Sequence, residues 1–139
     1  MKERELYPKI SELFCNDYHV FFEYRIPDSS RREIDILCVK KQKRDPELIA
    51  IETKIYNWKK AVSQAFTRLF YVDRSYIAIP REYVNKVDRE ILEMDGIGLI
   101  SVDGSAEIVV EAKKSKRTFK WRREMLLNDV MRRMQYEDS

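Results

Sequence analysis

Two short apolar runs, each carrying a carboxylate, constrain this chain most: Ile34-Asp35-Ile36-Leu37-Cys38-Val39 and Leu48-Ile49-Ala50-Ile51-Glu52-Thr53-Lys54. Both read as strands. Strand side chains alternate between faces, so Glu52 and Lys54, two apart, are expected on one face. Neighbouring strands lie roughly 4.8 Å apart, so pairing the two runs brings Asp35 beside Glu52. Two carboxylates and an ammonium at the end of an apolar sheet are costly to bury without a partner or a task. Two carboxylates can hold Mg²⁺, and a lysine beside them can meet a phosphate or an attacking water. The triplet and its partner acid thus point to phosphodiester chemistry.

The rest of the composition narrows the choice. A chain of 139 residues with 44% hydrophobic content predicts a single domain, 1–139, with a real core. Charged residues make up 37% of it, yet the net charge is only +3, so distribution matters more than the total. Arg31, Arg32, Lys40, Lys41, Lys43 and Arg44 flank the Asp35 run, and Lys113, Lys114, Lys116, Arg117, Lys120, Arg122 and Arg123 crowd one late segment. With Phe119 and Trp121 among them, the late cations suit a nucleic-acid backbone; the alternative is a solvated face balanced by nearby acids. Cys15 and Cys38 are too few and too isolated for a zinc site or a disulfide framework, and read as small buried side chains. His19 is the only histidine, which argues against histidine-based nucleases, histidine-rich zinc sites and a Ser-His-Asp triad. Three glycines and no glycine-rich loop exclude P-loop nucleotide hydrolysis. Met1 is followed by charged residues, and no apolar run is long enough to span a bilayer. No signal peptide and no membrane association are expected, and a cytoplasmic location follows.

Periodicity supplies the element order. Residues 2–16 place Leu6, Ile10, Leu13 and Phe14 on a helical stripe, with Pro8 marking early turns or a kink. A strand over 19–26 ends at Pro27-Asp28-Ser29-Ser30. The two acid-bearing strands follow, then a helix from Trp58 to Tyr71 and a strand from Tyr76 to Ile79. Pro80 fits the start of a helix to about Met94 with Val84, Val87, Ile91 and Met94 apolar, and Asp95-Gly96 stops it. Residues 97–102 and 106–110 read as a hairpin about Asp103-Gly104. Leu126, Leu127, Val130, Met131 and Met134 suggest a last amphipathic helix, whose stripe can cover the sheet or dimerise. The order, an αβββαβ core and then αββα, predicts an α/β domain with a central mixed sheet flanked by helices.

Asp35 followed by Glu52-Thr53-Lys54 and a helix carrying Gln64 resembles the PD-(D/E)xK nuclease superfamily, whose fold is restriction-endonuclease-like. The resemblance runs from the first helix to about Pro80. Gln64-Ala65-Phe66-Thr67-Arg68, then Asp73-Arg74-Ser75-Tyr76-Ile77-Ala78-Ile79-Pro80, and the opening Glu3-Arg4-Glu5-Leu6-Tyr7-Pro8 look like one poorly characterised branch of it. Ile34 stands where a proline often precedes the first acid. The resemblance implies a metal-dependent endonuclease cutting DNA to leave a 5′-phosphate. It also implies an acidic residue of the first helix near the site, with Glu3 favoured over Glu5, and Gln64 beside the site. Arg68, four residues on, is then expected to meet a phosphate, the alternative being a surface Gln-Arg pair.

The expected roles are these. Asp35 and Glu52, with the Thr53 backbone carbonyl, hold Mg²⁺ (Mn²⁺ as a substitute), an oxygen-preferring ion suited to these donors. Lys54 stabilises charge developing at the phosphate and orients the attacking water. Lys116, Arg117 and Lys120 contact the nucleic-acid backbone. Glu33 is expected in a surface ion pair with its arginine neighbours. Homodimerisation is possible, since cutting two strands takes two sites. The rival readings are a nucleic-acid-binding module that keeps the fold without cutting, and a regulatory protein-interaction domain.

Overall fold

The computed structural model describes residues 1–42 and 44–137, so Lys43 of the first basic cluster lies outside the described residues. After a 3₁₀-helix, Glu3–Leu6, come α1 (Tyr7–Phe14), β1 (Tyr18–Arg25), β2 (Glu33–Lys40), β3 (Leu48–Thr53), α2 (Trp58–Arg68) and β4 (Arg74–Pro80). A second 3₁₀-helix, Arg81–Lys86, leads to α3 (Arg89–Asp95), β5 (Gly98–Val102), β6 (Ala106–Val110) and α4 (Lys120–Glu137). The six strands form one sheet in chain order. The β1–β2, β2–β3 and β5–β6 pairs are antiparallel, whereas β3–β4 and β4–β5 are parallel and need the crossovers that α2 and α3 supply. The expected α/β architecture, a mixed sheet flanked by helices, is therefore the observed one.

Apolar alternation divides the core between the two faces. Ile36, Cys38, Ile49, Ile51, Tyr76, Ala78 and Ile100 pack under Leu6, Tyr7, Ile10 and Phe14 of the N-terminal helices. On the other face Ile77, Ile79 and Leu99 meet Ala61, Ala65 and Leu69 of the α2 segment and Leu92 of α3. Leu37, Val39, Leu48 and Ala50 meet Leu126 and Val130 of α4. Of the apolar stripe expected on the last helix, Leu126 and Val130 are buried against the sheet, while Leu127, Met131 and Met134 are half-buried.

The stretch expected as one helix to Met94 is two pieces. Val87 and Asp88 are extended, and the Asp88 carboxylate accepts from the Glu90 N–H at 3.0 Å as an N-cap. This break resets the helical phase, so Leu92 turns inward while Ile91 and Met94 are left 37% and 80% exposed. The first helix is divided as well, with Pro8 in the first turn of α1.

A local irregularity in β2 positions the first acid. Leu37 and Val39 face α4, and Ile36 and Cys38 face α1, yet Ile34 packs with the α4 cluster. Simple alternation would put Ile34 under α1 and Asp35 under α4. Instead Asp35 meets Thr53, whose parity on β3 follows Ile49 and Ile51 and so belongs to the α1 face. On the neighbouring strand the pairs run Phe22–Ile36 and Tyr24–Ile34, and Glu23 between them has a left-handed φ of 50°. Among the described residues no helix has the length and hydropathy to cross a membrane.

Candidate active site

The pairing of Ile36 with Ile51 brings Asp35 and Glu52 together at the carboxyl end of β3. The Asp35 N–H approaches Glu52 Oε2 at 3.4 Å, while Asp35 Oδ2 accepts from the Thr53 N–H at 2.9 Å and from Thr53 Oγ1 at 3.0 Å. Glu52 is 1% exposed. Its Oε2 also takes Nε of Arg68 at 3.3 Å. Burial, then the charge of Asp35, push the Glu52 carboxyl up to about 7 against the opposing pull of Arg68. Burial raises Asp35 too; the Thr53 hydrogen bonds oppose it, Glu3 adds to it and Lys54 counters it. The five charged groups of the cluster, Asp35, Glu52, Arg68, Glu3 and Lys54, are therefore linked electrostatically.

Lys54 does not share a side with Glu52. The chain leaves β3 at Thr53, the Lys54 N–H bonds the Ala78 carbonyl at 3.2 Å, and the ammonium meets Glu3 Oε1 at 3.2 Å on the α1 side. Arg68 holds Glu52 from the α2 side. Between the two candidate acids of the first helix, Glu3 is the one that reaches Lys54.

Arg68 departs most from expectation. It is 5% exposed, donates through Nη2 to the Glu33 carbonyl at 2.8 Å and through Nη1 to Thr67 Oγ1 at 3.0 Å, and so stands as an internal clamp on Glu52. It is neither a surface partner of Gln64 nor a phosphate contact. An arginine needs many acceptors when buried, and here the end of the sheet supplies them. Gln64, one turn earlier on α2, keeps its Oε1 buried with no donor among the described residues. Glu33 makes no ion pair among the described residues; its backbone carbonyl, not its side chain, is engaged.

The basic segment lies elsewhere. Lys120 and Lys114 line a groove of 1060 Å³ with Lys40, Glu47, Arg74 and Arg123, at the start of β3 and β4. Five strand steps separate Leu48 from Thr53, roughly 16 Å. Arg123 is committed to the fold, clamping Asp73 and Asp45 at 3.0 and 2.6 Å and the Pro46 carbonyl at 2.9 Å. Arg117 pairs with Asp95 at 3.1 Å and lies over the Phe66 ring. Lys116 and Lys120 are exposed and make no ion pair among the described residues.

Two neighbours of the cluster escape sequence reasoning. Tyr7 packs against it, and burial followed by the Asp35 charge raises its phenol. Tyr56, 69% exposed and edge-on to Tyr83, lines a 560 Å³ cavity with Glu3 and Lys54. The only sequence signals were their closeness to Glu3 and Lys54.

The donors can be compared with an ion's demands. Among the described residues no three Asp, Glu, His or Cys side chains gather around one point. Among the described residues, Asp35 Oδ1 and Glu52 Oε1 are the oxygens of the two carboxylates that take no protein hydrogen bond. Two all-oxygen carboxylates fit Mg²⁺, which takes one or two protein carboxylates and leaves its other positions to water and phosphate.

Comparison with known proteins adds the fold and no more. A solved structure of a protein of unknown function from Silicibacter pomeroyi is similar at a TM-score of 0.69 and 21% identity, over 100% of this chain and 93% of that one. No family model and no curated protein matches the chain.

Proposed function

We propose that this chain is a metal-dependent phosphodiester hydrolase acting on DNA, with the site at Asp35, Glu52 and Lys54. One observation carries the reading: the fold sets Asp35 and Glu52 side by side at the end of the sheet, the Asp35 backbone N–H against Glu52 Oε2, where burial raises both carboxyls and the Asp35 charge raises Glu52 further. Stability alone gives no reason for that, since an apolar pair of similar volume would cost less. Asp35 and Glu52, with the Thr53 carbonyl, would hold Mg²⁺, which when bound supplies electrophilic assistance at the phosphate and an acidified water. The remaining roles belong to the chain. Lys54, 18% exposed at its side chain, presents a cation to the phosphate oxygen on which charge develops. Glu3 fixes the direction of that ammonium. Arg68 keeps Glu52 in place and offsets part of the repulsion from Asp35.

A second reading also has support. Glu52 is paired with Arg68 and Lys54 with Glu3, so the cluster already satisfies itself, as a nucleic-acid-binding module that no longer cuts would. Calorimetric titration with Mg²⁺ and Mn²⁺, followed by a panel of linear, branched and single-stranded DNA, separates the two. The hydrolase reading expects saturable metal binding, lost in Glu52→Gln, and cleavage of at least one substrate. Absence of cleavage with metal affinity unchanged in Glu52→Gln would leave the binding module.

A further inference from the structure

A second surface carries its own chemistry. Phe119 and Trp121, 47% and 61% exposed, sit at the start of α4 with Arg122 between them and the body of the protein. The Arg122 guanidinium lies 5.1 Å from each of these two ring centroids, 5.3 Å from Tyr71 and 5.9 Å from Phe70. Phe119 stacks on Phe70 at 5.6 Å and 20°. The shelf is fixed rather than loose: the Phe119 N–H bonds the Phe70 carbonyl at 3.0 Å, and the Thr118 hydroxyl meets the Leu69 and Val72 carbonyls at 3.1 and 2.7 Å. Flat rings held open to solvent before binding lose little conformational freedom when something stacks on them.

Charge selects the visitor. Seven of the eleven residues from Lys113 to Arg123 are Lys or Arg and none is acidic. Asp95 takes Arg117, and Asp73 with Asp45 take Arg123, while Lys116, Lys120 and Arg122 have no ion pair among the described residues. A groove of 370 Å³ runs from Arg122 past Tyr71 and Arg32 to Thr67. Thr67 Oγ1 accepts from Arg68, the residue that holds Glu52, and the groove's loop wall, Asp28 to Arg32, leads directly into the strand of Asp35. Asp28 in that wall is occupied by the Tyr71 hydroxyl at 2.7 Å.

We propose that the Phe119–Trp121–Arg122 shelf is a stacking platform for unpaired nucleobases. Single-stranded DNA, or the single-stranded part of a branched one, is then the substrate class, and this rests on the hydrolase reading only for the cutting. Bases stack on the exposed rings and the free cations meet the phosphates between them, a combination that a continuous duplex, with its bases inside, cannot use.

The test uses Trp121 as its own reporter. In a Trp58→Phe, Glu52→Gln background without metal, Trp121 is the only tryptophan and no strand is cut. Emission is followed against oligothymidylate, a duplex of equal length, an abasic strand of equal charge, and polyglutamate. Oligothymidylate should quench Trp121 and bind at least tenfold more tightly than the duplex, while the abasic strand binds weakly without quenching. Trp121→Ala, read by anisotropy of labelled oligothymidylate, should lose about 5- to 100-fold in affinity at unchanged thermal midpoint, and Trp121→Phe should keep most of it. Equal quenching by duplex or polyglutamate, or an unaffected Trp121→Ala, overturns the platform and leaves a general polyanion patch. Failure of the wild type to cut while quenching persists would sink the hydrolase reading alone.

Discussion

A carboxylate as buried as Glu52 is tolerated only if it is paired, protonated or bound to a metal; the fold shows the first two, and the proposed function adds the third. Burial, and after it the charge of Asp35, outweigh the pull of Arg68, so the proton remains a competitor near neutrality. The sign follows. Between the ordinary 4.5 and about 7 the folded protein keeps a proton that the unfolded chain has lost, so stability falls as pH rises through that window. At about 1.4 kcal/mol per pH unit the loss is on the order of 3 kcal/mol. Urea unfolding of wild type and Glu52→Gln from pH 4.5 to 8 without metal should therefore give curves that diverge, the wild type declining relative to the variant. Parallel curves would mean that Glu52 ionises normally. The same linkage makes Mg²⁺ affinity rise with pH up to about 7, since the ion must displace that proton. Lys54 differs in kind. It is held by Glu3 on the α1 side, away from Glu52, and its charge favours the ionised Asp35 without occupying a carboxylate oxygen, so Lys54→Ala should leave metal binding intact, or tighten it, and lower cleavage by about two to three orders of magnitude. An equal loss of metal affinity would assign Lys54 to holding the site together.

At the level of elements, two glycines of one hairpin make opposite predictions. A Cβ on Gly98, at the start of β5, would stand 2.3 Å from the Tyr76 ring and 2.7 Å from the Val110 carbonyl. A Cβ on Gly104, in the loop, would meet nothing within 4 Å beyond its chain neighbours among the described residues. Gly98→Ala should cost about 1–3 kcal/mol by overpacking, and Gly104→Ala close to nothing, in denaturant unfolding. Equal effects would show that Tyr76 yields easily. This pair illustrates what the sequence made legible. The hairpin, the strands and the element order follow from alternation and turn residues, which are local properties. The approach of Tyr76 to Gly98 across parallel strands is not local, and nothing near either residue announces it. The same holds for the site. Asp35 and Glu52 could be paired from their strand setting alone, whereas the clamp role of Arg68 depended on the placement of α2 against the start of β2. Spacing alone also misassigned Lys54, because alternation was carried one residue past the true end of β3. The missed break at Val87–Asp88 was readable in principle, since Asp88 is a good N-cap residue before Arg89-Glu90.

Over the whole molecule, the charge that matters for a polyanion is divided between two ends of the sheet. Lys54 belongs to the acidic cluster, while Lys120 and Lys114 line the groove at the opposite end, roughly 16 Å away. Ion pairs inside the fold then decide which cations remain to do electrostatic work. Arg123 is spent on Asp73 and Asp45, and Arg117 partly on Asp95, whereas Lys116 and Lys120 face solvent. For single-stranded DNA each neutralised phosphate contributes about −0.7 to the slope of log affinity against log salt. Replacing Lys116 and Lys120 together by Ala should therefore flatten the slope by about 1.4 and weaken all sequences alike, because phosphates carry no sequence information. Arg117→Ala should change it less than either lysine does, since Asp95 already neutralises that charge. The measurement is anisotropy titration of oligothymidylate and a mixed-sequence strand from 50 to 200 mM salt in Ca²⁺, an ion expected to fill the oxygen donors without supporting cleavage. An unchanged slope in the double variant would return the segment to a solvated face. A change confined to one sequence would mean that these lysines read bases.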